Sequence, residues 1–154
     1  MTEFTAEQTK KIEMLTGLGL PEEQAKKSAA TDAEGTCQPT KNCSTYVCMK
    51  IKDGADMEAL KTHFKAYATN SAASKGKIFA QHMICNGEIQ AIEVWNSPSA
   101  MDAHIGNCFP HYAQMLAHCD MTEINAICDP SEVEWYKTSL SAWGASKFHV
   151  GTNI

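Results

Sequence analysis

A histidine and a glutamate come within reach of each other in a predicted β-hairpin. Residues 77–85 and 88–95 are strand-like runs joined by Asn86-Gly87, a dipeptide that favours a two-residue type I′ turn. This turn sets the pairing, so His82 and Glu93 become diagonal neighbours on one face, roughly 7 Å apart at the backbone. A histidine oriented by a carboxylate can act as a general base. The same pair can also do no more than stabilise the hairpin, and the sequence leaves both interpretations open.

Both faces of this hairpin are largely apolar. The pairing places Cys85 opposite Glu88 and Ile78 opposite Trp95, and alternation then separates the side chains by face. One face carries Ile78, Ala80, His82, Ile84, Ile89, Ala91, Glu93 and Trp95, and the other carries Phe79, Gln81, Met83, Gln90, Ile92 and Val94. Helices can cover only one side of a four-stranded sheet, so we expect a second subunit on the other side.

A strand and a helix precede the hairpin. Residues 44–51 are rich in β-forming side chains and end at the Asp53-Gly54 turn. A helix follows, because Met57, Leu60 and Phe64 recur on one helical face.

Two short helices and a strand follow the hairpin. Ser97 is placed to cap a helix that starts at Pro98 and ends at Gly106, and a second helix begins near Pro110. Residues 121–128 give the fourth strand. The β-α-β-β-α-β order predicts an α+β protein with a ferredoxin-like split βαβ fold and a four-stranded antiparallel sheet.

Helical segments flank this central domain. Residues 1–42 predict a helical N-terminal extension, with capping-box spacing from Thr5 to Gln8, that either docks on the body or is mobile. Residues 43–128 form the ferredoxin-like domain. Residues 129–154 predict a C-terminal helix and a short strand, and the aromatic face of that helix requires packing on the sheet or on a partner subunit.

The composition excludes several classes of partner. No apolar run approaches the ~20 residues that cross a bilayer, and the polar, acidic start is unlike a signal or transit peptide, so we expect a cytoplasmic protein without a membrane partner. The net charge is −5 and all 13 basic residues are lysines. The lack of arginine disfavours nucleic acid as a partner. Seven irregularly spaced cysteines favour reduced, mostly buried thiols over a disulfide framework.

The segment that follows the hairpin resembles the antibiotic biosynthesis monooxygenase (ABM)-like family of dimeric α/β barrels. Members often read W-x-S-x-x-A-x-x-x-H, with a further histidine or phenylalanine-rich stretch entering the next helix. Trp95, Ser97, Ala100, His104 and His111 fit that pattern. The resemblance covers the central domain and neither of its flanking segments.

This resemblance implies a homodimer in which the sheets of two subunits close one barrel, with a pocket between each sheet and its helices. Family activities include oxygenation of quinol-like or polyketide aromatics without metal or flavin. The resemblance therefore implies a cofactor-independent monooxygenase, or a related isomerase, that acts on a small apolar or aromatic molecule. In that chemistry a base removes an acidic proton and the electron-rich anion then reacts directly with oxygen.

The hairpin and the resemblance together give a set of candidate site residues. The candidate bases are His104, which is preferred, and His82, oriented by Glu93. The substrate-binding candidates, which comprise donors to a developing oxyanion and the lining of an apolar box, are Tyr46, Phe64, Trp95, Asn96, Phe109, His111 and Tyr112.

Other functions stay open at this point. A non-catalytic dimeric protein that binds a ligand or a partner would share the fold. A thiol-dependent activity needs an exposed cysteine beside a histidine, for which Cys108 is the candidate. His111 and His118 lie on one helix face near Cys108 and Cys119, but the spacing is non-standard and no metal site is predicted. The resembled family also contains haem-degrading enzymes. That activity is disfavoured here, because Gln114 stands at the position where those enzymes carry the axial histidine of the haem.

Overall fold

The structure, a computed structural model, describes residues 4–34, 42–144 and 147–152. In chain order the elements are α1 (Ala6–Gly17), α2 (Glu22–Glu34), β1 (Cys43–Ile51), α3 (Met57–Ala72), β2 (Lys77–Cys85), β3 (Glu88–Trp95), α4 (Pro98–His118), β4 (Cys119–Cys128), a 3-10 turn (Pro130–Glu132), α5 (Val133–Ala142) and β5 (Phe148–Thr152). No helix within these ranges is long and apolar enough to span a membrane.

One mixed sheet contains the strands in the order β2-β3-β1-β4-β5. β1 pairs antiparallel with β3 and β4, and β2 pairs antiparallel with β3. The α+β class and the β-α-β-β-α-β order are confirmed. The sheet differs from the predicted four antiparallel strands, because β5 adds parallel to β4. A parallel pair needs a crossover connection, which the segment containing α5 provides.

The hairpin forms with the predicted turn. Asn86 and Gly87 have φ values of 50° and 78°, which are the left-handed values that a type I′ turn requires. Pairing then follows the predicted register from Cys85 opposite Glu88 onward to the partner of Glu93.

The start of β2 departs from the predicted register. A β-bulge between Lys77 and Phe79 places Lys77, and not Ile78, opposite Trp95. The prediction that Ile78 faces Trp95 is therefore wrong: Ile78 is 51% exposed, whereas the side chain of Lys77 is only 5% exposed. The extra residue of the bulge reverses the face of the side chains that precede it.

α4 is one continuous helix where the sequence predicted two. Ser97 Oγ accepts the N–H of Ala100 at 3.2 Å, as expected of an N-cap. The helix nevertheless runs through Gly106 and Pro110, so the predicted end at Gly106 is wrong. A Cβ on Gly106 would lie 3.1 Å from Cγ of Lys11 in α1. The glycine therefore permits close packing of two helices, and tertiary burial overrides its local preference.

The described part of the N-terminal extension docks on the body. The capping box at the start of α1 is present. Leu15, Leu20 and Ala25 are buried in the same core as the sheet residues, and both α1 and α2 contact α4. Of the two outcomes left open by the sequence, the structure shows docking.

A buried carboxylate joins α2, α4 and α5. Asp102 is fully buried, and its Oδ2 accepts hydrogen bonds from Gln24 Nε2 at 3.1 Å, Trp135 Nε1 at 2.7 Å and Ser139 Oγ at 3.0 Å. Its Oδ1 has no hydrogen-bond partner among the described residues. Burial raises the pKa of Asp102 to about 6, although its hydrogen bonds oppose that rise.

The sheet face opposite α3 and α4 is apolar and uncovered in the single chain. Phe79, Met83, Ile92 and Ile127 are each between 37% and 49% exposed. Strand pairing places all four on the same face as Tyr46. A contiguous apolar face of this kind is typical of an interaction surface.

Candidate functional site

A small, mostly apolar cavity lies between the sheet and the helices α3 and α4. Its helix side is lined by Phe64, Ile105, Tyr112 and Met115, and its polar wall by Thr45, Tyr67, His82 and Glu93. Its volume is about 30 Å³, so the cavity is small in this conformation.

Glu93 is the centre of a buried hydrogen-bond cluster at this cavity. The residue is 3% exposed. Its Oε1 accepts hydrogen bonds from Ser71 Oγ at 2.8 Å, Lys77 Nζ at 2.9 Å and His82 Nε2 at 2.9 Å. Lys77 also donates to Ser71. Donors from α3 and β2 thus converge on a single carboxylate oxygen of β3.

Lys77 enters the cluster because of the β-bulge. Its ammonium lies 3.7 Å from the centroid of the Trp95 ring, in a cation–π contact. Burial lowers the pKa of Lys77, while the charge of Glu93 and the hydrogen bond to it oppose that fall. Gly76 directly before it has φ of 79°, and a Cβ there would lie 2.6 Å from Cβ of Ala100. Only glycine fits at position 76, directly before β2.

The cluster keeps Glu93 ionised. Burial by itself raises the pKa of a carboxyl group, but the hydrogen bond from His82 and the charges of His104 and Lys77 outweigh it and hold the pKa of Glu93 well below its usual range. An ionised carboxylate has no proton to donate, so His82 donates through its Nε2–H. The Nδ1 atom of His82 is then the ring nitrogen that can accept a proton.

His82 is the imidazole at the cavity wall. Its ring meets Phe64 and Tyr67 edge-on, with centroid distances of 6.1 Å and 5.8 Å. A carboxylate-oriented imidazole beside an apolar cavity is the arrangement of a general base. Glu93 also stabilises the imidazolium that forms when this base takes up a proton.

His104, the other candidate base, lies behind the cavity wall. It is 1% exposed, and its ring lies against those of Trp95 and Tyr67 at centroid distances of 4.9 Å and 5.1 Å. Its Nε2 is 3.1 Å from the Tyr67 hydroxyl and 4.0 Å from Glu93 Oε1. Tyr67 and Glu93 line the cavity, whereas His104 does not. His104 therefore reaches the cavity only through these two neighbours.

The hydrogen bonds of Ser74 determine the tautomer of His104. Ser74 Oγ donates its only hydrogen to the Asn70 carbonyl at 2.9 Å, so it accepts from His104 Nδ1, which is also 2.9 Å away. Nδ1 therefore carries a proton, and Nε2 lies within hydrogen-bond distance of the Tyr67 hydroxyl. Burial and the nearby charge of Glu93 raise the pKa of Tyr67 well above its usual value, so this hydroxyl stays protonated.

Cys108 does not form a reactive thiol. Its Sγ lies 3.2 Å from His104 Nδ1, but the residue is fully buried, and burial raises the pKa of Cys108 to about 12. Because the thiolate is the reactive form, this pair does not support a thiol-dependent activity. The described cysteines, 43, 48, 85, 108, 119 and 128, are all free. Cys37 lies outside the described residues.

The structure brings together part of the predicted site. The predicted residues at or directly beside the cavity are His82, Glu93, His104, Trp95, Phe64 and Tyr112. Of the predicted oxyanion donors, Tyr112 lines the cavity, but its hydroxyl already donates to the Trp143 carbonyl at 3.2 Å. Tyr67, which was not among the predicted residues, also lines the cavity, and its hydroxyl lies 3.1 Å from His104 Nε2.

Four other predicted substrate-binding residues lie elsewhere. Tyr46 is on the open sheet face, away from the cavity. Asn96 is buried and accepts from Ser97 Oγ at 3.2 Å, and Phe109 is half-buried against the core. His111 pairs with a histidine of α3 and not with the cavity. None of these four lines the cavity.

Lys77, Ser71 and Ser74 belong to the cluster and were not predicted. Ser71 continues the Phe64–Tyr67 stripe of α3 at helical spacing, and a polar side chain at a core-facing position was the available signal. Ser74 follows just after the end of the helix. For Lys77 the sequence signal was weaker, because strand alternation placed its side chain on the sheet face opposite His82 and Glu93. The two adjacent apolar residues 78 and 79 were the one sequence feature that could indicate a β-bulge at the start of the strand.

Comparison with known proteins shows similarity of structure alone. No family model matches the sequence, and no curated protein is significantly similar to it. MupZ from Pseudomonas fluorescens superimposes with a TM-score of 0.63 at 12% identity, over 73% of this chain and 90% of that one. This likeness shows a shared fold.

Other similar structures include proteins of the antibiotic biosynthesis monooxygenase type. SnoaB, described as a cofactor-independent oxygenase from Streptomyces nogalater, has a TM-score of 0.48 at 15% identity, over 56% of this chain and 91% of that one. A protein of Chloroflexus aurantiacus J-10-fl, described as an antibiotic biosynthesis monooxygenase, has a TM-score of 0.46 at 15% identity, over 55% and 89% of the chains.

Proposed function

We propose that this protein is a homodimeric, cofactor-independent monooxygenase that acts on a small aromatic or quinol-like molecule, with His82 as its base. One observation carries the proposal: at the wall of an apolar cavity, His82 Nε2 lies 2.9 Å from an ionised, buried Glu93. This bond leaves Nδ1 as the proton acceptor. The sequence pattern from Trp95 to His111 supports the same class.

The proposed reaction begins with proton transfer to His82. Nδ1 takes an acidic proton from a C–H group of the substrate, and the ionised Glu93 stabilises the imidazolium. The electron-rich anion then gives electrons to O2 and forms a carbon–oxygen bond. Protonation gives a hydroperoxide, and loss of water from it leaves a carbonyl. In balance, one CH2 group and one O2 become one C=O group and one water.

Lys77 has a positioning role in this scheme. Its charge balances that of Glu93 at 2.9 Å, so the carboxylate can stay ionised in a dry interior. The carboxylate in turn holds the His82 ring. Lys77 itself does not line the cavity and would not contact the substrate.

The cavity must enlarge before an aromatic ring can enter. Its volume of about 30 Å³ is far below the ~300 Å³ of a typical small-molecule site. Substrate binding therefore requires movement of the side chains on α3 and α4 that line it, such as Phe64 and Met115. Loop and side-chain opening of this kind is common in enzymes that exclude water from the reaction.

The uncovered sheet face supports the dimer. Its apolar side chains are most simply covered by the same face of a second copy, as in a barrel closed by two sheets. A stable interface of standard size buries about 800 Å² on each partner, and one face of a five-stranded sheet can supply that area.

The size of the cavity favours one alternative, a non-catalytic dimeric protein of the same fold that binds a ligand or a partner. Oxygen uptake distinguishes the two. Chelator-treated, flavin-free protein is mixed in an oxygen electrode with anthrone, an aromatic ketone that carries an acidic CH2 group, with heat-denatured protein as the control. We expect catalysed uptake of one O2 per molecule oxidised. No uptake, together with no exchange of substrate protons in D2O, would favour the non-catalytic protein. Proton exchange without uptake would indicate an isomerase that uses the same base.

A further inference from the structure

Two histidines meet across the seam between the helices that cover the cavity. His63 of α3 and His111 of α4 are both half-buried, and their Nδ1 atoms lie 3.5 Å apart. The ring centroids are 5.8 Å apart, so the two nitrogens lie between the ring centres and point towards each other. The function proposed above uses neither residue.

From this pair we infer a binding site for a divalent zinc-like metal ion, held by Nδ1 of His63 and Nδ1 of His111. Imidazole nitrogen is a preferred ligand of Zn²⁺ and its neighbours in the first transition series. Two nitrogens that each bond one tetrahedral zinc at about 2.0–2.1 Å are separated by roughly 3.3–3.4 Å. The separation observed without metal is therefore within a few tenths of an ångström of the one that zinc requires.

Binding needs only a small rearrangement of the two rings. Both residues lie on packed helices, so their positions are set before metal arrives and little side-chain freedom is lost. Each imidazole ring rotates so that its Nδ1 atom points at the shared ion and no longer at the other ring. A proton shared between the two Nδ1 atoms moves to Nε2 on the far side of its ring, and the metal takes its place. The net charge of −5 also favours uptake of a cation.

The site keeps open coordination positions. Within residues 4–34, 42–144 and 147–152, no group of three or more His, Cys, Asp or Glu side chains is placed to hold a metal. The ion would therefore complete its shell with water, which makes it exchangeable. Since Phe64 and Tyr112, which follow His63 and His111 in sequence, line the cavity, a bound ion would hold α3 to α4 over the cavity.

Calorimetric titration with Zn²⁺ tests this site. We expect one equivalent to bind, each of His63→Gln and His111→Gln to weaken binding at least about tenfold, and the unfolding temperature to rise in the parent by more than in these two variants. His149→Gln, on the exposed strand β5, is the matched control, and Cys85→Ser tests for binding by a half-exposed thiol. Binding unchanged by the His63 and His111 substitutions, or lost in either control, would overturn the site.

A second measurement needs no variant. In the parent protein, paramagnetic Co²⁺ at the site would broaden the imidazole NMR signals of His63 and His111 most strongly, and it would leave that of His149 on β5 unchanged. Broadening at other histidines with none at this pair would rule out the site even if a variant failed to fold.

Discussion

Lys77 Nζ lies 2.9 Å from Glu93 Oε1, and the two side chains are only 5% and 4% exposed. Few ion pairs are buried to this degree, because desolvation of two charges costs several kcal/mol for each ion. Here the hydrogen bonds from Ser71 and His82 share in stabilising the carboxylate. The pair is thus part of a network, and its removal should have more than a local effect.

Removal of the lysine alone should strongly destabilise the fold. In Lys77→Met the buried Glu93 carboxylate loses its cation, and we expect the free energy of unfolding in urea to fall by about 3–5 kcal/mol. The double variant Lys77→Met/Glu93→Gln removes both charges and should recover part of that loss. The exposed pair Lys61–Glu58, changed to Met and Gln, is the matched control and should alter stability little. A Lys77→Met protein as stable as its parent would show that the pair is not buried as described.

Titration of Asp102 should contribute to the pH dependence of the free energy of unfolding. Its pKa is raised to about 6 in the folded protein, so the folded state binds this proton more tightly than the unfolded state, and stability from this group rises as pH falls through 6. Between pH 8 and pH 5 the gain is about 1 kcal/mol. In Asp102→Asn that gain should be absent, whereas Asp53→Asn in an exposed turn should keep it. Equal pH profiles for the parent and Asp102→Asn, from urea unfolding, would contradict the assignment.

Alanine substitutions at two glycines with left-handed backbone would distinguish the cost of steric overlap from the cost of the backbone conformation. Gly76 and Gly54 have φ of 79° and 75°, but a Cβ on Gly76 would lie 2.7 Å from Asn96 Oδ1 and still closer to Ala100, whereas a Cβ on Gly54 would meet nothing within 4 Å. Alanine at either position carries the left-handed cost of about 1–2 kcal/mol. Gly76→Ala should cost about 1–3 kcal/mol more, because the neighbours must move. Similar urea midpoints for the two variants would mean that the entry to β2 is not tightly packed.

The open sheet face should determine the oligomeric state. We expect the parent protein to be a dimer by light scattering coupled to size exclusion. Ile92, 41% exposed on that face, lies opposite Tyr46, and Ile92→Glu would place a charge in the interface, which should weaken the dimer at least about tenfold. Thr62→Glu, on the exposed side of α3, is the control and should stay dimeric. A monomeric parent at tens of micromolar would contradict the dimer.

Local sequence signals predicted the hairpin, the helix faces and the order of elements. The Asn86-Gly87 turn fixed the pairing that brings His82 to Glu93, because a two-residue turn allows a single register. The aromatic face of the last helix was equally clear, and Tyr136, Leu140 and Trp143 are buried. These features depend on side chains that are close in sequence.

Features that depend on distant packing were not predictable in the same way. Gly106 reads as a helix end, and only the approach of α1 explains why the helix continues through it. The bulge that turns Lys77 inward follows from contacts with Trp95 and Glu93 on β3 and with Ser71 on α3. No local sequence pattern predicts such contacts. For the same reason the sequence favoured His104 over His82 as the base, although of the two only His82 lines the cavity.

The central claim is that His82 is the base of a cofactor-free oxygenation, and oxygen uptake by His82→Gln tests it most directly. Glutamine fills similar space but cannot take up the proton. With anthrone and chelator present, we predict that kcat of His82→Gln falls at least about 100-fold, while His149→Gln keeps the parent rate. Circular dichroism would verify that each variant folds. Oxygen uptake by His82→Gln at the parent rate, or a parent protein that consumes no more oxygen than buffer, would contradict the account.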